Sequence, residues 1–259
     1  MFNEQSTISK WIAHMYDQYI TETSDIDFLL SVIGQNSKRV LEIACGSGRI
    51  LVPMAKAGHS VTGLDFDEYM LNKIHAKAEG LENITWRKAD IIRDDWENDF
   101  DIVVLAANIL FNIISDIDYE QAQQLLVKKA ADALIPGGSI YIDYGYTAYP
   151  EKLFNYLGEH VVWDGKDSEG NAGRMVLLES VFDKERSIIS FTRRFELTLA
   201  DGNVIRQDIR SSKHFASLGQ IREWLSAAEF VIEEEYGDYN RSPISDRTDR
   251  AIIWAKKHD

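Results

Sequence analysis

Residues 40–50 read Val40-Leu41-Glu42-Ile43-Ala44-Cys45-Gly46-Ser47-Gly48-Arg49-Ile50: an apolar run enters two closely spaced glycines and leaves into a helix-forming segment. Such an unbroken run suits a strand buried on both faces, as in a parallel sheet covered by helices. Gly46 and Gly48 let the backbone approach a ligand without a Cβ in the way. A helix opening directly after them turns its free N–H groups toward whatever sits at the strand's carboxyl end.

The segments that follow repeat the same unit. Arg39–Ala44 predicts a strand and Gly48–Ala57 a helix, then His59–Asp65 a second strand and Glu68–Glu79 a second helix. Asn83–Arg87 is a short third strand, and Phe100–Ala106 a central one. Tyr119–Leu134 is a helix that Pro136-Gly137-Gly138 ends before the strand Ser139–Asp143. Strand and helix in alternation imply an α/β fold, a mostly parallel sheet with helices on both faces. His59 and His75 fall on elements expected to face solvent.

From about residue 159 the pattern changes. Val161–Trp163, Arg174–Phe182, Ser187–Leu199 and Val204–Arg210 predict strands. Turn-forming Asp183-Lys184-Glu185-Arg186 and Asp201-Gly202-Asn203 separate the last three, so an antiparallel meander is expected. Ser217-x-x-Gln220 is a capping box opening the helix Leu218–Glu229, followed by strands Phe230–Glu234 and Ala251–Ala255. The first forty residues read as helical, with Trp11, Met15, Tyr16 and Tyr19 spaced to share a face.

Charge narrows the partners. The 28 Lys+Arg against 42 Asp+Glu give a net charge of −14. Neither the first 150 residues (12 basic, 22 acidic) nor the remainder (16 and 20) is basic, which argues against nucleic acid. One cysteine, Cys45, excludes an internal disulfide and fits a reducing compartment. No Cys/His cluster suggests a metal. The polar N-terminus and the absence of a long apolar run predict a cytoplasmic protein with no membrane partner, monomeric or homodimeric.

Seventeen residues after Gly48, Asp65 ends the second strand, where an acid accepts hydrogen bonds from ribose hydroxyls. That points to an adenosine-type cofactor. A dinucleotide site would want G-x-G-x-x-G, but the third position is Leu51, and Glu42 beside the turn would not favour a pyrophosphate. NAD is disfavoured on these grounds.

Here the chain resembles class I S-adenosylmethionine-dependent methyltransferases of the small-molecule branch. The resemblance covers residues 38–143 and rests on five elements in order: the 40–50 motif, Gly63-Leu64-Asp65-Phe66-Asp67, Lys88-Ala89-Asp90-Ile91, Phe100-Asp101-Ile102-Val103-Val104, and Leu134-Ile135-Pro136-Gly137-Gly138. Ala44 stands where the family usually has its first glycine. The resemblance implies a Rossmann-like seven-stranded sheet whose last strand is antiparallel, with a β-rich lid insertion. It divides the chain into an N-terminal helical lid (1–37), a donor-binding core (38–144 and 217–259) and a substrate-binding insertion (145–216).

It also implies roles for the donor, S-adenosylmethionine. Ala44, Gly46, Gly48 and Arg49 cradle the methionine portion, and Glu42 organises that loop. Asp65 holds the ribose, Phe66 and Met70 pack near the adenine, and Asp90 with Ile91 reads the adenine edge. Ala106 and Asn108 lie near the reacting methyl. Tyr16, Asp143 and His214 are the candidate catalytic residues, a hydroxyl acceptor needing a base such as Asp143 or His214. The expected reaction is in-line methyl transfer to a small molecule, at nitrogen by preference (amine, amino sugar or nitrogen heterocycle), with O-methylation as the near alternative. A nucleobase methyltransferase would carry Asn/Asp-Pro-Pro-Tyr/Phe where this chain has Ala107-Asn108-Ile109-Leu110. An NAD-dependent oxidoreductase and a noncatalytic methyltransferase-like scaffold are the readings from other classes.

Overall fold

The computed structural model describes residues 4–258. In chain order, helices α1 (Glu4–Tyr19) and α2 (Ser24–Ile33) precede β1 (Arg39–Ile43), α3 (Leu51–Lys56), β2 (Ser60–Asp65), α4 (Glu68–Leu71), α5 (Ile74–Lys77) and β3 (Ile84–Lys88). Next come β4 (Phe100–Leu105), α6 (Ile109–Asn112), α7 (Tyr119–Ala133), β5 (Leu134–Gly145) and α8 (Pro150–Phe154). Strands β6 (Tyr156–Lys166), β7 (Ala172–Asp183), β8 (Ile188–Thr198) and β9 (Val204–His214) follow, and α9 (Leu218–Ala227), β10 (Phe230–Tyr236) and β11 (Arg250–Lys257) come last. Among the described residues two compact units form, one from residues 23–148 with 216–258, the other from residues 4–22 with 149–215.

The larger unit is built on a seven-stranded sheet of order β10-β11-β5-β4-β1-β2-β3. Strands β1 to β5 run parallel, and β11 lies antiparallel to both β5 and β10. Central β1 and β4 bury Val40, Leu41 and Ile43 and the whole run from Ile102 to Leu105, as their unbroken apolar sequence requires. Successive strands step one way from β1 to β3 and the other way from β4 onward. Crevices at such a reversal, at the strands' carboxyl ends, are where open α/β sheets hold ligands.

Several expected elements shift for identifiable reasons. The helix expected over Glu68–Glu79 is two short helices. Asp67 caps the first, its carboxylate accepting from the N–H groups of Tyr69 and Met70, and Lys73 bonds back three residues to Met70 rather than four. Asn72 and Lys73 keep right-handed backbone, so the path continues while the hydrogen bonding is interrupted. Strand β5 extends well beyond Ser139–Asp143 because β11 pairs along it from Ser139 to Gly145, and the residues around Gly137 are absorbed as an irregularity opposite β4. The expected 1–37 segment divides: Ile26, Phe28, Leu29 and Ile33 of α2 join the core of the larger unit, while α1 belongs to the other.

That second unit is a four-stranded antiparallel sheet in the order β6-β7-β8-β9. Ile8, Trp11 and Met15 of α1 pack on Met175, Phe195, Leu197 and Ile205. Gly173 makes the contact possible, since a Cβ there would stand 2.9 Å from Leu197 Cγ and 3.1 Å from the Trp11 ring. Of the residues expected to share the face, Trp11 and Met15 are buried, Tyr16 is half-buried, and Tyr19 is exposed with its hydroxyl bonded to the Asp164 backbone. Among the described residues no helix is long and apolar enough to cross a membrane.

His59 overturns its expected solvation. The side chain is fully buried at the start of β2, neither ring nitrogen has a hydrogen-bond partner, and burial together with Lys38 pushes its pKa down. His75, by contrast, is exposed and meets Trp86 edge-on at 5.0 Å. Folding holds His59 neutral where an unfolded histidine, with a pKa near ~6.5, would take a proton, so stability falls as pH drops through that value. Urea denaturation at about pH 7.5 and about pH 5.5 should show a larger loss for the wild type than for His59→Phe. Equal losses in the two proteins would contradict this.

Candidate functional site

Strand β1 ends in a turn that only small residues make easily. Ala44, Gly46 and Gly48 all have positive φ, at 58°, 54° and 77°. Alanine tolerates this at a cost of about 1–2 kcal/mol. Because Gly48 is left-handed, the helix expected from that residue starts at Leu51 instead. Space also excludes larger side chains, since a Cβ on Gly48 would come within 3.0 Å of Ile74 Cγ1 and 3.2 Å of Val52 Cγ2. On β2, a Cβ at Gly63 would lie 2.7 Å from Cys45 Sγ. Cys45 is thus a packing residue, and burial together with Glu42 pushes its thiol pKa up, away from nucleophilic thiolate.

Asp65 ties the two strand ends together. Its Oδ2 accepts from the Gly46 N–H at 2.8 Å and its Oδ1 from the Asp67 N–H at 2.7 Å. Burial raises its pKa, opposed by those N–H groups. Each oxygen keeps lone-pair capacity for a further donor such as a ribose hydroxyl. Phe66 beside it is 63% exposed, with Lys88 Nζ 5.8 Å from its ring centre, and Met70 reaches under Gly46. At the end of β3, Asp90 Oδ1 accepts from the N–H groups of Ile92 and Arg93, which fixes the turn and leaves Oδ2 with Arg93 at 3.9 Å. Ile91 is half-buried beside it.

Glu42 is nearly fully buried, and its Oε2 has no hydrogen-bond partner. Burial pushes its pKa well up; Arg49 opposes this, while Asp65 and Asp25 add to it. Arg49 forms a forked ion pair with Asp25 of α2 at 2.9 and 2.5 Å. A buried carboxylate oxygen without a partner, next to a turn in which Gly48 has no room for a side chain, suits a cation or a hydrogen-bond donor. Sulfonium and ammonium groups on S-adenosylmethionine meet that demand, so the residues present fit this donor.

At the carboxyl ends of β4 and β5, Ala106 is buried and Asn108 is left-handed with φ 60°. The Asn108 side-chain carbonyl accepts from the Gly145 N–H at 3.0 Å, and the Asn108 backbone N–H donates to the Asp143 carbonyl at 3.2 Å. Asp143, a candidate base, has both oxygens engaged: Arg250 donates to Oδ1 at 2.5 Å and the Tyr239 hydroxyl to Oδ2 at 2.7 Å. Burial raises its pKa, and Arg250 opposes. Arg250 also lies 4.6 Å from the Tyr239 ring centre. The carboxylate is therefore the anchor of a buried triad, a geometry suited to positioning rather than proton removal. Tyr16 and His214 both lie in the β-rich unit, His214 buried at the end of β9 opposite Ile188.

Asp25, Arg250, Tyr239 and Tyr141, whose buried hydroxyl has no partner, were not legible as site residues. They come from elements far apart in sequence and carry no motif. Only the acidic first turn of α2 offered a signal.

A family signature described as "methyltransferase domain" matches residues 40–138. The chain is 25% identical to a presumed methyltransferase of Geobacillus sp. (strain WCH70) across 95% of this chain and 98% of the other. It is 30% identical to a ubiquinone biosynthesis O-methyltransferase of Acinetobacter baylyi, where the match spans 50% of this chain and about half, 52%, of that relative. An S-adenosylmethionine-dependent methyltransferase structure from Clostridium acetobutylicum superposes with a TM-score of 0.73, at 18% identity, covering 96% and 98% of the two chains. The sugar N-methyltransferase KedS8 from Streptoalloteichus gives 0.71 at 16% identity, covering 94% and 91%.

Glu42 supplies a prediction with a defined sign. Its folded pKa is raised, so the cost to stability is full above that pKa, shrinks as pH falls below it, and is gone only beneath the unfolded value of about 4.3. Glu42→Gln should be more stable than wild type near pH 8 without ligand, and the gap should close toward acid. A denaturation midpoint unchanged or lowered near pH 8 would contradict this.

Proposed function

Because the chain is a class I S-adenosylmethionine-dependent methyltransferase, we propose that it methylates a small-molecule acceptor at nitrogen, in an amine, amino sugar or nitrogen heterocycle. The observation that carries this is the capped state of Asp143, whose oxygens are held by Arg250 and Tyr239. A hydroxyl acceptor needs a base in the transition state, whereas a neutral amine brings its own lone pair. The likeness in fold to a sugar N-methyltransferase supports the same reading.

S-adenosylmethionine, when bound, supplies a methyl group activated by its sulfonium for in-line displacement. The chain's residues then have positioning to do, holding reacting atoms about 3–3.5 Å apart and aligned. We assign Glu42, Ala44, Gly46 and Gly48 to the methionine portion, with Arg49 bracing the turn through Asp25. Asp65 takes the ribose hydroxyls, and Phe66, Met70, Asp90 and Ile91 surround the adenine. Ala106 and Asn108 set the floor near the methyl, Asn108 being fixed by Gly145. Acceptor selection falls to the β-rich unit, with Tyr16 and His214 as its contacts. O-methylation is the second reading, favoured by the ubiquinone-pathway relatives, with His214 as the base.

Titration calorimetry with S-adenosylhomocysteine should show binding that Asp65→Ala weakens by about 10- to 100-fold, the range for hydrogen bonds to a charged group. Radiolabelled methyl transfer, screened over primary and secondary amines, amino sugars and matched alcohols, should label nitrogen compounds. The rate should follow the acceptor's own ionisation. Label on oxygen, with a pH profile abolished by His214→Gln, would overturn the nitrogen assignment. Donor binding with no label moved to any acceptor would leave a scaffold.

A further inference from the structure

Asp25, in the first turn of α2, reaches the glycine turn from outside the motif. Each of its oxygens meets one Nη of Arg49, at 2.9 and 2.5 Å, and the Ile26 N–H donates to Oδ1 at 2.9 Å. Two parallel bonds fix the plane of a guanidinium as well as its distance. Both side chains are largely buried, at 14% and 15% exposure. Helix α2 is itself seated in the core through Ile26, Phe28, Leu29 and Ile33, so the carboxylate stands on a rigid support.

Arg49 thus has two carboxylates for neighbours and treats them unequally. Its charge opposes the rise in the Glu42 pKa, yet its Nη fork is spent on Asp25, and Glu42 Oε2 is buried without a hydrogen bond. The other groups facing Glu42 offer that oxygen no cation. Asp65 of β2 and Asp25 both disfavour its ionisation, and the Cys45 thiol is held protonated by burial and by Glu42. Val104 and Tyr141 continue the row of Glu42 across β4 and β5, and the Tyr141 hydroxyl is kept neutral by burial.

We infer that Asp25 is a positioning residue for donor binding: by taking both Nη atoms of Arg49 it keeps that guanidinium from hydrogen-bonding Glu42, and so preserves a buried carboxylate oxygen for a cationic group of the donor. Naming the donor as that ligand rests on the methyl-transfer reading. With Asp25 made neutral, Arg49 loses a charged acceptor and turns to Glu42, where it competes with the donor. The same change removes a negative charge beside Glu42, so Glu42 ionises at lower pH. A cationic ligand binds the ionised carboxylate and not the protonated one, so affinity falls as pH drops through the titration of Glu42.

The test titrates S-adenosylmethionine into the full-length protein by calorimetry from about pH 8 to about pH 5.5. Wild-type affinity should fall toward acid, approaching about tenfold per pH unit below the titration, and Glu42→Gln should remove that fall. Asp25→Asn should bind at least about fivefold more weakly at the alkaline end, with the gap to wild type closing toward acid because its own fall begins at lower pH. Asp25→Glu, which keeps the charge, should move the profile back toward wild type. Lys77 supplies the structural reference: from α5 its Nζ donates to the Ser47 carbonyl at 2.9 Å and to the Ser47 hydroxyl at 3.0 Å, in the same turn. Lys77→Met should weaken binding by one factor at every pH.

A profile for Asp25→Asn parallel to that of wild type would make Asp25 a brace like Lys77 and overturn the inference while leaving the methyl-transfer reading intact. Wild-type binding that does not change with pH would overturn it too. Failure of wild type to bind S-adenosylmethionine at any pH would instead remove the methyl-transfer reading, and the role of Asp25 with it.

Discussion

The hydrogen bond from the Gly46 N–H to the Asp65 carboxylate joins the exits of β1 and β2, and the proposed donor site is arranged around it. It can form only because Ala44, Gly46 and Gly48 turn left-handed, bringing an N–H to face the neighbouring strand rather than continuing the ladder. Once formed, it fixes where Asp65 points and delays α3 to Leu51. The closed turn leaves Gly63 no room for a side chain beneath Cys45. The glycines and the acid are thus one device. The glycines supply a backbone path, and the acid holds it while keeping lone pairs for a ligand.

Around that device the larger unit gathers carboxylates at low exposure. Burial raises the pKa of Glu42, Asp65 and Asp143 alike, and Asp25 adds to the strain on Glu42 and Asp143. Arg49 and Arg250 each neutralise one partner by a short ion pair, but Glu42 keeps an oxygen without a hydrogen bond. Such a cluster is a poor way to stabilise a fold and a good way to receive a cationic ligand, since binding relieves a cost already present in the folded state. Under the proposed function, stability lost at this cluster and affinity for the donor are therefore linked.

The sequence carried the sheet and the glycine turn at the exit of β1 because both depend on local patterns: apolar runs of strand length, glycines at fixed offsets, an acid at a strand end. The β4 run and the capping box at Ser217 stand as the chain alone implied. What it concealed depends on partners distant in sequence. The length of β5 is decided by β11, more than a hundred residues later. His59 reads as a polar surface residue and is buried because neighbouring elements close over it. Asp143 reads as a base because it ends a strand. Tyr239 and Arg250, from a loop and strand with no motif, make it an anchor.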